Sequence, residues 1–256
     1  MDLGLGGKLF VVGGASRGLG RAVAENLVAE GARVILVARD EGALSGTARE
    51  LGEEAHPLAA DLSDPRSVDR IAGAVSGMGG ELGGVLVNTG GPPPGRALEL
   101  DDDQWLAAFG SLVAGPIRLL RALVPLMGDG ASVLFVTSSS VRQPIPNLDA
   151  SNVLRPGVAA LTKCLARELA PRVRVNSLAP GRIDTERARS LDASAAEALG
   201  ITREERRARI GETIPMGRYG EPAEFGRAAA FLLSPAASYV NGVSLQVDGG
   251  LVSALP

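Results

Sequence analysis

Short apolar runs rich in Val, Ile and Leu alternate along this chain with segments in which apolar positions return every three to four residues. The first pattern suits strands buried on both faces and the second suits amphipathic helices, so their alternation points to a parallel sheet covered by helices on both sides. The strands predicted in this way are Leu9–Val12, Arg33–Ala38, Ala55–Ala59, Val85–Val87, Ser132–Thr137, Val173–Ser177 and Val243–Val247. Helices are predicted over Gly18–Glu30, Asp40–Leu51, Pro65–Ser76, Asp102–Met127 with a bend near Gly115-Pro116, Arg155–Ala170 and Pro222–Leu233. The fold class is therefore α/β: one doubly wound, Rossmann-type domain on a seven-stranded parallel sheet with right-handed crossovers. A chain of 256 residues is long enough for one such domain and too short for two.

Three local features add to this outline. Between about residues 185 and 215 a small-residue run, Asp192–Leu199, precedes a charged one, Ile201–Arg209. They predict a helical insertion above the carboxyl edge of the sheet, where ligands bind in open α/β folds, with the expected role of a lid over the substrate. The run Gly90–Gly95 holds three consecutive prolines, which fix φ and predict a stiff wall beside the same pocket. Pro156 predicts that its helix begins near Arg155 or is distorted there, because an interior proline costs about 3 kcal/mol.

Composition then removes several classes of function. A formal net charge of -3 provides no basic field for nucleic acid. No uninterrupted apolar run approaches the ~18 residues of a membrane span, and Met1–Lys8 lacks the pattern of an export signal. The expected setting is the cytoplasm, with neither nucleic acid nor membrane as partner. The lone cysteine, Cys164, excludes an internal disulfide and a cysteine metal cluster; no metal is expected, and the position of Cys164 within apolar Val158–Leu169 predicts burial.

The candidate chemistry starts at Gly14-Ala15-Ser16-Arg17-Gly18-Leu19-Gly20, which follows the first strand and opens a helix. Glycines there permit a tight turn and a close approach of backbone to a pyrophosphate at the positive helix end. Four markers follow in order after later strands: Asp61-Leu62, Asn88–Gly91, Ser138 and Pro180-Gly181. On these residues the chain resembles the short-chain dehydrogenase/reductase family, and within it the 3-oxoacyl-(acyl-carrier-protein) reductases, over nearly its whole length.

The resemblance implies roles position by position. Gly14, Ser16, Gly18, Leu19 and Gly20 would line the phosphates, Asp61 and Leu62 the adenine, and Asn88 and Gly90 the adenosine ribose. Pro180 to Thr185, with Gly181 and Ile183, would lie beside the nicotinamide carboxamide, and Gly13 stands where the family commonly has Thr. It further implies a small-molecule carbonyl or alcohol substrate and a homo-oligomer, tetramer or dimer, with Leu119–Met127 and Val158–Leu169 as contact faces.

Charge selects among cofactors. A carboxylate at the end of the second strand suits the ribose of NAD, whereas a guanidinium suits the 2′-phosphate of NADP. Ala38-Arg39 at that strand end and Arg17 in the glycine turn predict NADP, with NADPH the reductant and NAD the less favoured nucleotide.

Catalysis departs from the family pattern. There a Tyr donates the proton and a Lys four residues on lowers its pKa. Counting back from Gly157–Lys163 places Ser151 and Arg155 at those two positions, and counting from Gly115 and Pro125 places Leu112 where the family has an Asn, leaving Ser138 as the remaining match. No Tyr occurs between Ser138 and Lys163; Tyr219 and Tyr239 stand in stretches that resemble structural parts of the family, and the single histidine, His56, falls in the third strand. Two readings follow: an oxidoreductase in which Ser138, Ser151 and Arg155 act with water or Asp149 as acid, or a catalytically inactive NADP(H)-binding sensor or reductase subunit. The phosphate turn, the arginines and Ser138 favour the first.

Overall fold

The computed structural model describes residues 2–254. Strands β1 (Leu9–Gly13), β2 (Arg33–Ala38), β3 (Ala55–Ala59), β4 (Leu82–Val87), β5 (Met127–Val136), β6 (Val173–Pro180) and β7 (Ser244–Val247) form one sheet in the order β3-β2-β1-β4-β5-β6-β7. Every pairing is parallel. The order reverses between β1 and β4, which opens a crevice at their carboxyl ends.

The helices are α1 (Gly18–Ala29), α2 (Glu41–Leu51), α3 (Pro65–Gly77), α4 (Asp102–Phe109), α5 (Gly115–Leu123), α6 (Asp149–Glu168), α7 (Glu186–Leu199), α8 (Arg203–Thr213) and α9 (Pro222–Leu233). Two apolar layers hold them to the sheet. Val23, Leu27, Leu44, Phe225 and Ala229 cover one face, and Ile71, Val75, Leu119, Leu123 and Val158 the other.

The predicted fold class stands, with local differences that have physical causes. β4 begins at Leu82, ahead of the predicted Val85: Gly83 and Gly84 interrupt the apolar run, and the pairing continues across them with a shift of register at Gly83. A side chain on Gly84 would run into Ser132 O and the Phe10 ring, so glycine is what lets β1, β4 and β5 lie flush there. The long predicted helix ends early: α4 passes through a π turn, Gly110–Ala114, into α5, and Met127 already belongs to β5. Although Asp102–Leu126 reaches a mean hydropathy of 1.4, its Leu112, Leu119, Leu120 and Leu123 are buried in the core under the sheet.

Three expectations are corrected. First, α6 runs unbroken from Asp149 to Glu168 with Pro156 inside it. Its first turns are held from outside: the Asn152 amide accepts from Ile145 N at 2.9 Å and donates to Ile145 O at 2.8 Å, and Asp149 accepts from Ala97 N at 2.9 Å. Those bonds offset the donor that Pro156 removes. Second, Cys164 is exposed, because α6 turns Val158, Thr162 and Ala166 inward and carries Cys164 on its outer side. Third, Leu119–Met127 and Val158–Leu169 are largely absorbed by the core; the exposed apolar residues nearby are Leu106 and Phe109 of α4 and Val153 of α6.

Helices α7 and α8 occupy the predicted insertion and are tied to the body through charged contacts. Asp184 accepts from Arg189 at 2.8 Å and from Arg207 at 3.0 Å, Arg207 lies over the Tyr219 ring at 4.2 Å, and the Tyr219 hydroxyl donates to Asp192 at 2.8 Å. The bonds from Arg189, then Arg207, hold the Asp184 carboxyl below its usual range.

Candidate active site

The glycine turn between β1 and α1 adopts a conformation that other residues resist: Gly14 and Gly18 have φ of 63° and 59°. A side chain on Gly20 would strike Gly14 O and Gly13 O, so α1 packs directly on the turn. At Gly13 the space a larger residue would need is filled by Leu62 from the β3 side. The first turn of α1 has no side-chain cap and no acidic residue, so its amides face the crevice free to meet an anion. Ser16 and Leu19 lie along this turn, and Arg17 pairs with Glu186 of α7 at 3.0 Å, both side chains largely exposed.

Farther along the crevice, Asp61 spends one oxygen on Ser63, accepting from its N at 2.9 Å and its hydroxyl at 2.6 Å. Arg39 is exposed at the end of β2. Leu62, Asp61 and Arg39 thus sit at the β2–β3 side, well apart from the catalytic candidates.

At the carboxyl ends of β4, β5 and β6 lies a cavity of about 340 Å³. It brings together Leu19, Asn88, Gly90, Ser138, Ser151, Arg155, Pro180, Gly181, Ile183 and Thr185. Leu191 of α7, Ile210 of α8 and the loop Gln143–Leu148 close its other sides. Gly90 and Gly91 line it, but Pro92–Pro94 do not, which corrects the stiff-wall expectation for the prolines. Asp149 also lies outside the lining and is committed to Ala97 N, so the structure removes it as a proton donor.

Inside the cavity the hydroxyl of Ser138 accepts from Ser140 N at 3.1 Å, leaving its own proton free. Ser151 Oγ is 3.5 Å from Ser140 Oγ. Arg155 is 7% exposed; its guanidinium donates to Val136 O and Gly90 O, while its Nε has no partner. Burial, with a smaller push from Arg187, brings the Arg155 guanidinium down to about 10, still charged at neutral pH.

Neither tyrosine is available. Burial first, then Asp192, raises the Tyr219 phenol well above its usual range, and Tyr239 is fully exposed on the surface. Leu112 is buried in the π turn and His56 sits in β3 opposite Ile35. The residues that the motifs did not reveal are Ser140 and Arg187.

Comparison with known proteins adds relatives along the whole chain. The family described as enoyl-(acyl carrier protein) reductase matches residues 14–252. An uncharacterised oxidoreductase of Mycobacterium tuberculosis is 35% identical over 250 residues, covering 95% of this chain and 92% of that protein. The 3-oxoacyl-(acyl-carrier-protein) reductase FabG of Vibrio harveyi is 32% identical over 97% of this chain and 99% of its own length. Among solved structures, L-sorbose reductase from Gluconobacter frateurii, complexed with NADPH and L-sorbose, superposes with a TM-score of 0.94 at 30% identity and full coverage of both chains.

Proposed function

The chain belongs to the short-chain dehydrogenase/reductase family, and from that premise we propose that it is an NADP(H)-dependent oxidoreductase acting on a carbonyl or alcohol without the family's Tyr–Lys pair. The observation that carries this reading is Arg155: a buried guanidinium on the wall of the cavity, beside Ser138 and Ser151. The uncapped start of α1 and the open strip at Gly18 fit the phosphates of a dinucleotide. Gly14, Ser16, Gly18, Leu19 and Gly20 would hold them, Asp61 and Leu62 the adenine, and Asn88, Gly90, Arg155 and Pro180–Thr185 the ribose and nicotinamide. When bound, NADPH supplies the hydride.

The protein's own share is electrostatic. Arg155 sets a fixed positive charge toward the carbonyl oxygen, favouring the charge that develops there. The free hydroxyl proton of Ser138 orients that oxygen, and water ordered by Ser138 and Ser151 delivers the proton from solvent. Helices α7 and α8 act as a lid that keeps other water out.

NADPH oxidation followed against ketones, 3-oxoacyl thioesters, quinones and imines tests the reading; turnover supports it. The bonds from Arg155 to Val136 O and Gly90 O also suit a second reading, a nucleotide-binding subunit in which Arg155 only braces the fold. No turnover by the unmodified protein, with activity created by the double change Ser151→Tyr and Arg155→Lys, decides for that one.

Arg39 and Arg17 make NADPH the preferred nucleotide. Each charge-assisted grip on a phosphate is worth about 1.5–3 kcal/mol, so the Kd for NADPH is expected to lie roughly tenfold or more below that for NADH in parallel titrations. Equal or NADH-favouring constants contradict this.

Leu106, Phe109 and Val153, exposed on the neighbouring helices α4 and α6, form the face through which we expect the chain to self-associate. The double change Leu106→Asp and Phe109→Asp is expected to turn the oligomer into a monomer on gel filtration with light scattering. A wild-type monomer, or a variant of unchanged mass, contradicts it.

A further inference from the structure

The charge lining the cavity is one-sided. Arg155, Arg182 and Arg187 face it, and no Asp or Glu does. Arg182 has Asp192 at 3.7 Å. Arg155 and Arg187 have only main-chain carbonyls as partners: Val136 O and Gly90 O for the first, Gly91 O at 3.3 Å and Pro92 O at 2.9 Å for the second. Buried guanidinium groups are ordinarily paired with a carboxylate. Here Arg155 is deeply buried with an unpartnered Nε, and Arg187, exposed at the rim, adds a smaller repulsive push on it.

The two cations are also near one another along the backbone, since they bind the carbonyls of consecutive residues, Gly90 and Gly91. The rest of the wall, Ile145, Leu148, Leu191, Ile210 and Val252, is apolar.

Resting on the oxidoreductase reading above, we propose that the substrate is an oxo acid with an apolar body, its carbonyl oxygen at Arg155 and its carboxylate gripped by Arg187. A carboxylate in that place supplies the counter-charge that the cavity wall lacks. The cofactor's diphosphate is the other anion that could serve Arg187, and the test separates the two.

NADPH oxidation is measured with 2-oxohexanoate and 3-oxohexanoate, each against its methyl ester. The expected result is a kcat/KM for one acid about tenfold or more above that of its ester, with the preference lost through KM in Arg187→Met and partly restored in Arg187→Lys. Equal values for acid and ester in the unmodified protein overturn the proposal without recourse to any variant. So does an Arg187→Met protein whose NADPH Kd rises while its acid preference stays, because Arg187 then serves a cofactor phosphate.

If no compound is turned over, the oxidoreductase reading fails separately, and calorimetry on the NADPH complex still tests the site. Hexanoate is then expected to bind about tenfold or more tightly than hexanamide; equal binding, or binding of neither, overturns the proposal.

Discussion

Exchange of Arg155 for methionine is expected to lower kcat for NADPH-dependent carbonyl reduction by about two to three orders of magnitude, the usual cost of removing one preorganised stabiliser of developing negative charge. The expectation follows from position and protonation together. Arg155 lines the cavity, is 7% exposed, and stays charged because burial lowers its guanidinium only to about 10. Methionine keeps an aliphatic stem of similar reach and deletes the charge. It also deprives Val136 O and Gly90 O of donors, so a loss of stability of about 1–3 kcal/mol is expected beside the kinetic effect and is read independently by denaturant unfolding. Arg155→Lys restores a cation and is expected to recover much of the rate. A methionine variant that folds, binds NADPH and keeps its kcat would assign Arg155 to bracing alone.

The second large effect concerns binding. Gly18→Val is expected to raise the Kd for NADPH by about a hundredfold or more. With φ at 59°, Gly18 sits in a region that costs an L-residue about 1–2 kcal/mol. Its Cβ would point across the crevice to Thr185 Cγ2 at 3.5 Å, so a branched side chain fills the strip that the phosphates need at the start of α1. Fluorescence titration of NADPH, with circular dichroism to verify the fold, checks this. A Kd within about threefold of wild type in a folded variant would place the phosphates elsewhere; the bound for a meaningful change is set by the 1.4 kcal/mol that a tenfold shift represents.

The sheet was legible because its inner strands are buried on both faces, and a run such as Leu9–Val12 has no other stable place in a chain of this kind. What failed was local. Gly83 and Gly84 concealed the start of β4, since their value lies in what they leave out, namely a side chain against Ser132 O and Phe10. The cost of Pro156 is visible in the sequence, whereas the bonds that tie Asp149 and Asn152, in the first turn of α6, to Ala97 and Ile145 outside the helix carry no periodic signal. Val158, Thr162 and Ala166 of α6 are four residues apart and share the inward face, whereas Cys164, two residues from Thr162 and from Ala166, falls on the other side.

The site shows the same division. Motif residues proposed to bind through backbone geometry, such as Gly14, Gly18 and Pro180, are identifiable from spacing. Arg187 reaches the cavity only because α7 folds over it, and no short-range pattern announces that. Ser140, whose amide donates to Ser138 and whose hydroxyl approaches Ser151, was hidden among three consecutive serines.

Reduction without a titrating side chain as acid is the centre of this account, and the pH dependence of kcat addresses it most directly. Neither Ser138 nor Ser151 ionises in the accessible range, and Arg155 carries its proton until about 10. The rate is therefore expected to be level from about pH 6 to 9 and to fall only as the Arg155 guanidinium loses its charge above that. A limb within that interval would reveal a side-chain acid at work and contradict the mechanism.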